Sequence, residues 1–116
     1  GISVQGRMVF VAGQIGWNAE CVFETDLFWK QTQQAFSNTV EVLSAAEAKP
    51  EHIVRMTWFI TSRKEYLEQQ KEIGKAYREI IGKHYPAMSV LVVSELIEEA
   101  AKVEIETTAV IPEISR

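Results

Sequence analysis

The sequence predicts an α+β fold: one domain, residues 1–116, with a mixed β-sheet and two helices packed on one sheet face. Three observations predict it. Four stretches carry short strand-like apolar patterns, some of period two. Two longer stretches between them carry apolar residues at three- and four-residue steps, the period of a helix. The two kinds alternate along the middle of the chain, as strand–helix–strand units with right-handed crossovers require. With 116 residues there is enough chain for one core.

Residues 7–12 (RMVFVA) form the first strand. It is apolar on both faces, with Met8 and Phe10 on one and Val9 and Val11 on the other, so both faces are expected to be covered. Residues 3–5 read as a short preceding strand joined through Gly6. Gly13-Gln14-Ile15-Gly16 then leaves the sheet. Its two glycines suit close backbone approach, and no third glycine makes it a dinucleotide fingerprint. Thr25 or Asp26 caps a helix running to about Ala46, with Phe28, Phe36, Val40 and Leu43 along its apolar stripe. Its end is unusual. Glu47 stands where a left-handed glycine is expected, at a cost of about 1 kcal/mol, and Pro50 blocks continuation.

Residues 53–60 (IVRMTWFI) form the second clear strand, with Val54, Met56, Trp58 and Ile60 on one face and Ile53, Arg55, Thr57 and Phe59 on the other. Ser62-x-x-Glu65 is a capping box opening a single second helix to about Ile81, with Gly82 as its C-terminal glycine. Gly74, inside that helix, costs roughly 1 kcal/mol relative to alanine; either it is merely tolerated or something packs close to it. Pro86 introduces a strand over 87–94, and the final strand over 102–110 places Val103, Ile105, Thr107 and Ala109 on one face and Glu104, Glu106 and Thr108 on the other. Two helices cover one sheet face. The other keeps Phe59, Ile53 and one of the two apolar pairs of the first strand, which is too much bare apolar surface for a lone chain. A homo-oligomer is expected on that ground.

Composition narrows the function. The chain is 47% hydrophobic and 24% charged, with net charge −4; no basic run offers a phosphate-dominated nucleic-acid surface. The one cysteine, Cys21, has no internal disulfide partner and suits a reducing cytosol. No stretch approaches the roughly 18 apolar residues of a membrane span, and no signal-peptide pattern is legible. Gly1 reads as the middle of a turn, so the natural start is expected to lie upstream. His52 and His84 stand at no metal-ligand spacing, and neither metal nor cofactor is expected.

Val9-Phe10-Val11-Ala12-Gly13-Gln14-Ile15-Gly16 resembles a known family segment, vfvSGQig. Gln31, Gln34 and Asn38, then Pro50-Glu51-His52-Ile53-Val54, Pro86-Ala87-x-Ser89 and Val103-Glu104-Ile105-Glu106 follow in the same order. Over nearly its whole length the chain resembles the RidA family of reactive intermediate deaminases, also called the YjgF family. The resemblance implies a chorismate-mutase-like fold, a homotrimer and ligand clefts between subunits. It also implies hydrolysis of amino-acid-derived enamines and imines to 2-keto acids and ammonia.

It assigns roles residue by residue. The carboxylate that orients or activates water matches Glu104, the expected catalytic residue, although the sequence leaves open whether Glu104 or Glu106 faces the cleft. The arginine that grips the substrate carboxylate is replaced by Met88, which cannot make a bidentate pair. The serine before the first glycine is Ala12, the cleft-lining asparagine is Gly74, and an N-terminal aromatic matches Ser3 if a gap is admitted. Gly13, Tyr85 and Ser89 complete the expected ligand-binding set. The pocket should be roomier and less polar than the family's. Losing a charged hydrogen-bond partner weakens binding by about 1.5–3 kcal/mol, so poor activity on small amino-acid-derived imines is expected. Core filling is the competing account of Met88. Three functions stay open: an enzyme acting on a larger imine, a non-catalytic small-molecule binder or regulatory trimer, and, more weakly, an endoribonuclease.

Overall fold

Strand β1 (Arg7–Ile15) opens the chain's regular structure in a computed structural model that describes residues 1–113. Helix α1 (Phe28–Ala45) follows, then a single 3-10 turn (Pro50–His52) and strand β2 (Ile53–Ile60). Two consecutive helices, α2 (Arg63–Glu68) and α3 (Gln70–Ile80), lead to strands β3 (Ala87–Val92) and β4 (Val103–Ile111). The sheet order is β1-β4-β2-β3. Only β2 and β3 run parallel, joined by the helical crossover; β4 is antiparallel to both neighbours. The fold is α+β, a mixed sheet with its helices packed on one face, as expected.

The helices cover one face. Beneath them lie Val9, Val11, Met56, Trp58, Val103 and Ile105, all buried. Phe36 of α1 ties the layers together, meeting Trp58 edge-on at 5.4 Å and Tyr77 of α3 at 5.5 Å. Burying a large apolar side chain stabilises by about 1.5–3 kcal/mol, so these three aromatics are central to the helix–sheet contact.

Several expectations are corrected. Residues 3–5 form no strand. The segment after Ala12 does not leave the sheet: β1 continues to Ile15 across a bulge, since Val11 pairs with Thr107 but Gln14 with Ile105. The extra residue bends the strand rather than ending it. A second irregularity between Ile53 and Arg55 turns Ile53 to the helix side, where it is fully buried, so it does not belong to the open face. The N-cap of α1 is Leu27, whose side chain makes no cap bond; Thr25, two residues ahead of that cap, instead receives the Leu27 N–H at 3.0 Å. The second helix is two, because at Gln69 the backbone leaves helical geometry (φ −107°, ψ 20°). The Gln69 side chain then reaches across to accept the Trp29 N–H at 2.9 Å, satisfying a donor in the first turn of α1. Only half of the capping box forms. Ser62 accepts the Glu65 N–H at 3.1 Å, while the Glu65 carboxylate turns to Lys102 at 3.1 Å.

Other expectations hold. Glu47 has φ 64°, and its N–H and that of Ala48 close back on Ser44 and Leu43, the Schellman pattern. Gly82, at φ +100°, ends α3.

Candidate functional site

The residues expected to form one site fall on the two faces of the sheet. Register decides this. Glu104 pairs with Phe59, and Glu106 with Thr57, on the face without helices. Ser89 joins them there through its pairing with Thr57. Met88 pairs with Met56, a buried residue of the helix side. Within one chain, therefore, Glu104 and Met88 point to opposite sides.

On the open face, the bulge of β1 brings Gly13 against Glu104. A Cβ at Gly13 would collide with the Glu104 carboxylate and the carbons that bear it. Close approach, not left-handed backbone, is what this glycine supplies. Glu104 is half-buried and Glu106 exposed, so the two carboxylates differ, as alternation alone could not reveal. The ion pairs among the described residues, Lys64–Glu68 and Lys102–Glu65, do not engage Glu104. Ala12 lies one step away, near Phe10, Arg55 and Glu106 around a shallow hollow of about 380 Å³. The apolar pair left on this face is Met8 and Phe10, 56% and 71% exposed, with Leu91 at 46%.

On the helix side, at the β3 edge, Gly74, Tyr85 and Met88 come together. They line a cavity of about 240 Å³ with Trp58, Tyr77 and Arg78. Tyr77 and Tyr85 stack, with ring centres 5.6 Å apart and planes 14° from parallel. The Tyr77 hydroxyl donates to the His84 carbonyl, and burial pushes its pKa from the ordinary 10 to about 12, with a smaller contribution from Tyr85. It stays a neutral donor at physiological pH. Met88 is 39% exposed in the single chain, at the rim of this cavity rather than in the buried core. The Trp58 indole N–H, buried in this wall, has no hydrogen-bond partner among the described residues.

Three polar residues of α1 hold the surrounding loops. Gln31, fully buried, donates to the carbonyls of Thr25 and Ala100 and accepts the Lys102 N–H. Asn38 donates to the Ile15 and Trp17 carbonyls, and Gln34 holds Asn38 from one turn away. They fix the exit from β1 and the entry to β4, hence the ends of both strands that bear Gly13 and Glu104. Sequence reasoning placed these residues in the helix without seeing that they bind loops. A buried glutamine on an apolar stripe is the signal that finds such a clamp.

A wider hollow, about 1020 Å³, lies elsewhere. It is walled by Glu24, Asp26, Glu95 and Glu99 with Lys102 and contains none of the expected site residues. Ser3 lies outside any regular element and is exposed. No group of three or more potential metal ligands occurs among the described residues, and none of the described helices is long and apolar enough to cross a membrane.

A four-stranded mixed sheet with helices on one face, and a carboxylate seated on a bulged edge, define the class. The family model described as Endoribonuclease L-PSP matches residues 2–111. The chain belongs to this family, the RidA/YjgF family. A RutC family protein of Aquifex aeolicus is 35% identical over 109 residues, covering 94% of this chain and 84% of its own length. A 2-iminobutanoate/2-iminopropanoate deaminase of Dermatophagoides farinae is 33% identical over 107 residues, covering 91% and 80%. The crystal structure of E. coli TdcF with bound serine superposes with a TM-score of 0.75 at 30% identity, covering 96% of this chain and 89% of that one.

Proposed function

We propose that this chain assembles as a homotrimer in a reducing cytosol and hydrolyses an enamine or imine in clefts between subunits. The observation that carries the reading is the half-buried Glu104 carboxylate, packed against the Gly13 backbone and in neither ion pair found among the described residues, on a sheet face that also bares Met8 and Phe10. Covering that apolar face with a second and third copy removes it from water. In such an assembly a neighbour's Met88–Gly74–Tyr85 wall meets the Glu104 edge, uniting residues that one chain keeps apart. The deaminase activity named for the mite relative supports this chemistry.

In the proposed step, water adds to the imine carbon while Glu104 takes its proton. The tetrahedral carbinolamine then receives that proton on nitrogen. As the C–N bond breaks, the carbinolamine hydroxyl proton passes by way of Glu104 to the departing nitrogen, so that ammonia leaves and the carbon becomes a ketone. Backbone groups at Gly13 or Ser89 orient the reacting atom. Because position 88 holds methionine, the substrate is larger, or less dependent on its carboxylate at that wall, than 2-aminoacrylate-type imines.

Ammonia release tests the reading. Wild type should turn over large apolar imines faster than small ones, and Glu104→Gln should lose about 100-fold or more, as removal of a general acid–base residue does. Equal release by both proteins ends the catalytic role of Glu104. The second reading, a non-catalytic binder, draws support from Met88 and from the serine held by the E. coli relative; binding without turnover by any imine would establish it. Ribonuclease action has the family description behind it and the −4 net charge against it. It requires RNA cleavage that a point variant abolishes.

A further inference from the structure

We propose that Arg78 is the anion-holding residue of the cavity behind Met88, a guanidinium delivered from α3 in place of one on β3. The inference rests on the imine reading for the reacting group, and adds the class of ligand: a carboxylate-bearing 2-imino or 2-oxo acid with one aromatic or branched apolar side chain.

Gly74 and Arg78 stand one helical turn apart, on one face of α3. With no side chain at Gly74, the guanidinium lies back over it: Nη1 is 3.2 Å from where a Cβ would stand. A larger residue there would press on the guanidinium. The absent side chain at Gly74 thus leaves the guanidinium room to lie over the helix beside the cavity.

The electrostatics agree. Arg78, itself exposed, is the only charged side chain lining this cavity among the described residues. It takes part in neither ion pair found among the described residues. A lone guanidinium at the mouth of an aromatic pocket favours an anion, and its fork matches a carboxylate at two points. Trp58, Tyr66, Tyr77 and Tyr85 supply flat apolar walls. At about 240 Å³ the space suits a ring plus a short carboxylate arm, given that a cavity on the order of 150 Å³ accepts benzene.

A cation in the last turn of a helix also complements the helix dipole, and lysine serves that role as well. The test uses 3-phenyl-2-oxopropanoate and its primary amide as calorimetric probes of the intact protein. Wild type should bind the acid at least tenfold more tightly than the amide. Arg78→Gln should lose that preference, with acid affinity falling about tenfold or more. Arg78→Lys, which keeps the charge but not the fork, should fall between them. Arg78→Gln combined with Met88→Arg should bind pyruvate better than wild type does. Unchanged acid affinity in Arg78→Gln, no preference for acid over amide, or no binding by wild type overturns the proposal. The two readings fail separately. Imine turnover that needs Glu104 but not Arg78 sinks this inference alone, whereas Arg78-dependent binding with no turnover of any imine sinks the hydrolysis alone.

Discussion

At Gly13 the missing side chain is what lets Glu104 lie against β1. The atoms that an added Cβ would meet belong to the Glu104 side chain, which can swing away. Gly13→Ala is therefore expected to cost less than about 1 kcal/mol of stability while displacing the carboxylate, so that imine turnover falls toward the level of Glu104→Gln. Gly16→Ala makes the opposite case. Its Cβ would meet the Cα, Cβ and backbone oxygen of Gln31, inside α1, where nothing flexible can yield. A loss of about 1–3 kcal/mol is expected from overpacking. Thermal unfolding and ammonia release on the two variants check both statements; a large stability loss at Gly13 would mean that Glu104 is not free to move.

Among the elements, the turn from α3 into β3 carries the pH dependence. Tyr77, on α3, reaches the His84 carbonyl ahead of β3, and burial raises its pKa to about 12. The folded chain keeps this proton to higher pH than the unfolded chain does. The contribution is therefore complete below pH 10 and is lost as the pH climbs through 12. At about 1.4 kcal/mol per pH unit of displacement, it amounts to about 2–3 kcal/mol. Unfolding free energies measured between pH 9 and 12 should fall more steeply for wild type than for Tyr77→Phe; parallel curves would remove Tyr77 as the cause. The elements also show where pattern reading stops. The strands and α1 were legible from period, and Glu47 and Gly82 from helix-end chemistry. The bulge that turned Ile53 inward, the break at Gln69 and the continuation of β1 past Gly13 were not. Each is set by a partner far along the chain: Ala109 for Ile53, Trp29 for Gln69, Ile105 for Gln14.

For the molecule as a whole, the open sheet face predicts the assembly. Phe10, at 71% exposure, lies where a copy would pack. Sedimentation should give wild type the mass of three chains. Phe10→Lys should shift it toward one chain, since a buried unpaired ammonium costs several kcal/mol. A wild-type chain that sediments alone while folded would remove the reason for a cleft between subunits.

The sequence by itself determined the fold class and the faces of β4, with Glu104 and Glu106 together on one of them, because period and local chemistry are written in neighbouring residues; the resemblance to the family then pointed to Glu104. Only the tertiary structure decided that Glu104 rather than Glu106 rests on Gly13, that Met88 faces away from both, and that Arg78 fills the space above Gly74. Those outcomes depend on register and on side chains meeting across elements, and neither follows from spacing along one strand or one helix.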